Sequence, residues 1–146
     1  MEAKRGSAEA APAKFTVTAV DQDGGGICYY LVPDGKAAAN LWDVDHIHLP
    51  KSSGPHILQF ALDDKTSGKK LSLRGTDPFD CADDHPCPPP GGINSSQISL
   101  SGNPSGNIVT IKNLNSGSPV DIRYQLNYEA GGISYPCDPI IKNDGG

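Results

Sequence analysis

The stretch "PVDIRYQLNYEA" limits the fold more than any other part of the chain. In it Val120, Ile122, Tyr124, Leu126 and Tyr128 alternate with Asp121, Arg123, Gln125, Asn127 and Glu129. Successive side chains of a strand point to opposite faces, so this period of two reads as a half-buried strand; a helix would scatter the same apolar residues around its circumference. Shorter patterns of the same kind occupy 15–20, 27–32, 46–49, 57–62, 70–73, 97–100 and 108–114. Between them stand "DQDGGG", "PDGK", "KSSGP", "DKTSGKK", "SGNPSGN" and "NSGS", whose Gly, Pro, Asn and Asp residues favour turns. With 17 glycines, 13 prolines and no long 3.6-residue apolar period, helix is expected only as a turn within "GKAAANLWD". The expectation is all-β: an antiparallel β-sandwich of about eight or nine strands, Ig-like in architecture.

A chain of 146 residues suits one domain. That domain is expected over 14–146, with 1–13 as a mobile tail and no internal repeat. The formal charge of −5 comes without clustered Lys and Arg, so a phosphate-tracking surface and a nucleic-acid partner are not expected. No apolar run approaches the length of a membrane helix, so no membrane partner is expected either. The first residues lack the apolar core of a secretory signal, which favours a cytoplasmic location and mostly reduced thiols for Cys28, Cys81, Cys87 and Cys137. Residues 76–93, "TDPFDCADDHPCPPPGGI", read as a long irregular loop. Within it Cys81 and Cys87 are compatible with a loop disulfide or with two free thiols. Their spacing fits neither a C-x-x-C redox pair nor a zinc knuckle.

"VDHIHLP" sets His46 and His48 on one face of a strand and Asp45 on the other. Two such imidazoles could ligate a metal, with His56 folding back across "PKSSGP" as a third ligand. The plainer reading, hydrogen-bonded strand histidines, is preferred because no Cys or Met stands at a copper-site spacing, and neither metal nor cofactor is expected. Asp63 and Asp64 in "ALDDKTSG" read as a solvated hairpin tip. Asp77, Asp80, Asp83 and Asp84 read as a solvated acidic loop that departs from the D-x-D-x-D-G calcium pattern. No G-x-S-x-G, phosphate-cradling glycine loop or recognisable Cys-His signature is present.

Near the C-terminal end, "AGGISYPCDPII" reads as a glycine turn and a return strand against 120–129. A two-residue turn at Gly131 and Gly132 would pair Ile141 with Ile122 and set Asp138 opposite Gln125 on the polar face. A three-residue turn would set Asp138 opposite Tyr124 on the buried face. Pro136 and Pro139 cannot donate to a ladder, so an edge strand or one broken near Asp138 is expected. Asp138-Pro139 is also a labile dipeptide. The aspartate side chain can attack its own backbone carbonyl to form a cyclic anhydride, and the tertiary amide nitrogen of proline leaves as a basic secondary amine. A fold would speed this by holding the carboxyl oxygen at the carbonyl carbon, by twisting the bond off planarity and by protonating the departing nitrogen. Asp77-Pro78 is a second such dipeptide, so the dipeptide alone decides nothing.

The C-terminal third, "IVTIKNLNSGSPVDIRYQLNYEAGGISYPCDPIIKND", resembles the bacterial DP-EP family (DUF1888) of small β-sandwich proteins, chiefly through its "DPIIKND" ending. The resemblance implies a single-turnover endopeptidase that cuts its own Asp138-Pro139 bond through an aspartic anhydride. Asp138 would be the internal nucleophile and Pro139 to Gly146 a peptide kept in the sheet. The partner implied is that peptide; the apolar Ile140 and Ile141 beyond a labile bond further suggest that the strand could leave and the emptied groove accept the same peptide of another copy, giving strand exchange and self-assembly. His46 or His48 is a candidate acid for the Pro139 nitrogen. Two rival readings are a non-catalytic β-sandwich binding or assembly module, and a metal-binding sandwich built on His46 and His48.

Overall fold

The computed structural model describes residues 12–21, 27–43, 46–66, 71–73, 78–84, 92–101, 107–129 and 140–146. They form thirteen strands and one short helix: β1 (Ala13–Asp21), β2 (Ile27–Asp34), α1 (Lys36–Leu41), β3 (Trp42–Asp43), β4 (His46–Leu49), β5 (His56–Thr66), β6 (Ser72–Leu73), β7 (Phe79–Asp83), β8 (Ile93–Asn94), β9 (Ile98–Leu100), β10 (Ile108–Asn113), β11 (Val120–Leu126), β12 (Tyr128–Glu129) and β13 (Ile140–Asn143). One sheet runs β2-β1-β5-β10-β9 and the other β3-β4-β13-β11-β7-β8, with β12 and β6 as a small third pair. Alternation decides which side chains lie between the two large sheets. In β1, Ala13, Phe15, Val17 and Ala19 turn inward while Lys14, Thr16 and Thr18 face out. In β11, Ile122, Tyr124 and Leu126 do the same.

The inner faces meet in one apolar cluster. Its centre is aromatic: Phe60 of β5 lies 5.4 Å from Tyr124 and 6.1 Å from Phe79, which stacks on Tyr124 at 5.5 Å and 12°. Because these rings belong to opposite sheets, they lock one onto the other, and offset stacks of this kind add to the burial of their area. The all-β sandwich expected from the alternation is what the chain forms. Its sheets are mixed, however. β1 pairs parallel with β5, β13 with β4 and β7 with β8, while the remaining pairs are antiparallel.

Most strands lie where the period of two sets them, and α1 occupies "GKAAANLWD" as expected. β1 begins at Ala13, one residue inside the expected tail, with its side chain buried. The expected loop 76–93 is a correction: β7 runs through it and places Phe79 and Cys81 in the core. β7 does not alternate apolar with polar, since Asp80 and Ala82 on its other face are buried as well, and so the pattern hid it. Asp63 and Asp64 are also corrected, from a turn to the interior of the eleven-residue β5.

Of the two expectations for the last strand, a break near Asp138 falls outside the described residues, while the edge strand is overturned: Ile140–Asn143 is an interior strand, antiparallel to β11 and parallel to β4. Its register, Ile122 with Ile141, is the one a two-residue turn at Gly131 and Gly132 predicts. That turn, together with Pro136, Asp138 and Pro139, lies outside the described residues.

Candidate functional site

The segment that follows Asp138-Pro139 is held by three walls. β4 and the turn after it form the first, β11 the second and the β10–β11 connection the third. Ile141 pairs with Ile122 on one side and Ile47 on the other, and its side chain is 0% exposed within the core. Full burial of such a side chain contributes roughly 1.5–3 kcal/mol. Lys142, one residue on, points to solvent.

Asn143 turns inward again and meets Asn113, the last residue of β10 in the opposite sheet. Asn113 Nδ2 donates to Asn143 Oδ1 at 2.9 Å, and Asn143 Nδ2 donates to Asn113 Oδ1 at 2.7 Å. Both residues are buried, at 0% and 2% exposure. A closed pair of amide bonds therefore seals this end of the sandwich, where an apolar partner at position 143 would strand Asn113 Nδ2. Asn113 Oδ1 also accepts the backbone N–H of Asn115 at 3.0 Å.

Asn115, with φ of 47°, is the second organising residue. Its Nδ2 donates to Pro50 O at 2.8 Å and to Ser53 Oγ at 3.1 Å, while its Oδ1 accepts the backbone N–H of Gly145 at 3.0 Å. Three more main-chain hydrogen bonds hold the segment. Asp144 N donates to Leu49 O, Ser52 N to Gly145 O and Gly146 N to Gly117 O. Gly145 has φ of 88°, and a Cβ there would lie 2.2 Å from Gly117 O, so glycine is the residue this approach admits.

His46 and His48 lie on one face of β4 as expected, their ring centres 6.4 Å apart. They serve different neighbours. His46 Nε2 lies 3.5 Å from Asp43 Oδ2, whereas His48 Nε2 lies 2.6 Å from Asp144 Oδ2. His48 thus acts at the far end of β13 from Pro139, and His46 stands one residue before the Ile47 that pairs with Ile141. His56 is drawn away from both, with its Nε2 2.8 Å from Ser53 Oγ, and partial burial lowers its pKa from the ordinary value. Among the described residues no group of three or more His, Cys, Asp or Glu side chains could hold a metal ion.

Asp80, expected in a solvated acidic loop, is 8% exposed. Its carboxylate accepts Gly92 N at 2.7 Å and Asn127 Nδ2 at 3.0 Å, which ties β7 to the ends of its neighbours. Cys81 is a free, fully buried thiol. Burial pushes its pKa up to about 12, against the lowering effect of a backbone hydrogen bond at Asn94 and with lesser help from the Asp83 and Asp80 charges. Such a thiol is not a nucleophile at neutral pH. Cys87 and Cys137 lie outside the described residues, as do Asp45 and Asp77. No helix among the described residues is long and apolar enough to cross a membrane.

Sequence reading found the strand after Asp138 but not its clamp. Asn113, Asn115 and Asn143 belong to no motif that singles them out; the signal in the sequence is the tripeptide Ile-Lys-Asn, which closes both β10 and β13. Compared with known proteins, the chain matches no family model, no curated protein and no solved structure.

Proposed function

We propose that the protein is a self-processing β-sandwich that cuts its own Asp138-Pro139 bond once and keeps the peptide 139–146 as part of its sheet. The observation that carries this reading is the seat of β13. The residues after the bond are fastened on both sides by main-chain ladders, by the Asn113–Asn143 pair and by Ile141 in the core, none of which needs the covalent link. Scission at Asp138 would therefore leave the folded body whole. That is the condition a chain must meet if its own cleavage is a maturation step and not its destruction.

The chemistry balances with one water. A side-chain oxygen of Asp138 attacks the Asp138 carbonyl carbon, the C–N bond to Pro139 breaks, and the nitrogen takes up a proton and departs as a secondary amine. Water then opens the cyclic anhydride, restoring the side-chain carboxyl group and leaving a new α-carboxylate. His46 is the candidate acid for the proline nitrogen on position alone: it precedes the Ile47 that pairs with Ile141, whereas His48 pairs with Lys142 and reaches Asp144 at the other end of β13. The resemblance of the C-terminal third to the DP-EP family supports the same reading.

The test is intact-mass spectrometry under denaturing conditions, followed over time and pH, with Asp138→Ala beside the wild type. The expected result is a fragment of residues 139–146 that is absent from the variant and from wild type held unfolded at the same pH. A single uncut mass at every pH would overturn the proposal and leave a β-sandwich binding or assembly module. His46→Gln is expected to slow the appearance of the fragment by roughly 10²-fold, the usual contribution of a positioned acid.

A further inference from the structure

The seat of the C-terminal segment reads more than its backbone. Inward positions alternate along it, and each meets a different demand. Position 141 enters the dry core and requires an apolar side chain. Position 143 must present a donor and an acceptor together to the buried Asn113. An aspartate has no N–H to offer, a leucine has neither group, and a glutamine carries one methylene too many. Position 145 must lack a Cβ, because the Gly117 carbonyl fills that space. Positions 142 and 144 face out: Lys142 is exposed, and the Asp144–His48 pair is more than a third exposed on each side, where ion pairs add little.

The walls of this seat hold themselves in unusual backbone geometry. Among the described residues only Ser52, Asp84 and Asn115 have positive φ without being glycine. Two of these three grip Gly145, Ser52 through its N–H and Asn115 through its Oδ1. Non-glycine residues are uncommon in this region and cluster where the rest of the fold has a reason to hold them. Here that reason is the grip on an incoming backbone.

We propose that this seat is a sequence-selective peptide-binding site for an extended Ile-x-Asn-x-Gly segment, and that it accepts the segment from a second copy of the chain as well as from its own. Every recognised group lies within 141–146, so the site distinguishes the two sources only by local concentration. A tethered segment has an effective concentration on the order of millimolar. The chain's own tail wins while it is intact, and a cognate segment in trans wins once the tail is weakened or released. The code stands independently of cleavage at Asp138.

The test uses the full chain carrying Asp138→Ala and Asn143→Ala, which cannot cut itself at Asp138 and has a weakened tail. A labelled synthetic peptide of residues 139–146 is added at up to millimolar concentration, and bound label and thermal midpoint are measured. The native-sequence peptide is expected to bind and raise the midpoint. Peptides with N143A or G145A are expected to bind at least about tenfold more weakly, and K142A within about threefold of the native sequence. If the double variant does not fold alone, refolding in the presence of each peptide gives the same ranking through the yield of folded protein. Equal binding by all four peptides, a K142A loss as large as that of N143A, or no binding of the native peptide would each overturn the proposal. An uncut wild type would overturn the function proposed above and leave this ranking untouched.

Discussion

At the scale of single residues, the tail is fixed by chemistry that leaves little latitude. Gly54 and Gly145 share a positive φ, 80° and 88°, but a Cβ at Gly54 would meet nothing within 4 Å, whereas one at Gly145 would strike Gly117 O. Gly54→Ala should therefore cost only the backbone preference, about 1–2 kcal/mol. Gly145→Ala should cost clearly more, measured as the difference in midpoint of denaturant unfolding. The asparagine pair predicts non-additivity. Asn143→Leu strands Nδ2 of Asn113, whose Oδ1 keeps the N–H of Asn115, and should cost about 1–3 kcal/mol for that one unmet buried group. Adding Asn113→Leu should recover part of that loss, less what Asn115 N forfeits by losing its acceptor. A fully additive double variant would show that the pair is not coupled.

His56 sets a pH dependence of its own. Burial lowers its folded pKa below the ordinary 6.5, so in the window between the two values the unfolded chain binds the proton and the folded chain does not. Its contribution to stability is therefore complete above about pH 6.5 and declines as pH falls through that window. His56→Gln should flatten the thermal midpoint between about pH 5 and 7 relative to wild type.

At the scale of elements, β13 is short but central. Ile141→Ala removes a fully buried side chain and should cost about 2–5 kcal/mol, while Lys142→Ala on the same strand should stay within about 0.5 kcal/mol. Amides of Ile141 and Asn143 should exchange with solvent at rates close to those of β11, which an edge strand would not show. The elements also show what a sequence can and cannot disclose. β1, β4, β5, β10 and β11 announced themselves because one face is wet and the other dry, so that Phe15, Ile47, Phe60, Ile111 and Tyr124 fall at every second residue. β7 was hidden because both its faces are covered, and Asp80 looked like loop chemistry while being a buried acceptor. The register of β13 could be narrowed to two choices from turn geometry, and the pairing of Ile122 with Ile141 selects one. Its neighbour β4 could not be anticipated, because a parallel partner more than ninety residues away leaves no local trace in either strand. The asparagine clamp was illegible for the same reason: Asn113 and Asn143 acquire their meaning only when two sheets close on each other.

At the scale of the whole molecule, the cut and uncut proteins should be the same object. After cleavage at Asp138 the native protein should elute at an unchanged volume and show its full mass in native spectrometry, with the fragment of residues 139–146 appearing only in denaturant. Loss of the fragment under native conditions would contradict the strength of the seat. The order of the sheet has one more consequence, for the way the chain is made. β13 follows every other described strand in the chain, yet it lies between β4 and β11. A chain emerging residue by residue therefore completes both flanks of that gap before it has anything to fill it. Until 140–143 arrives, β4 and β11 face each other across a missing strand with their ladder groups unpaired, an invitation to the strands of neighbouring nascent chains. Whatever lengthens that interval, a pause in translation or a premature stop just before Ile140, should send product to aggregates even though most of the sandwich has already been synthesised.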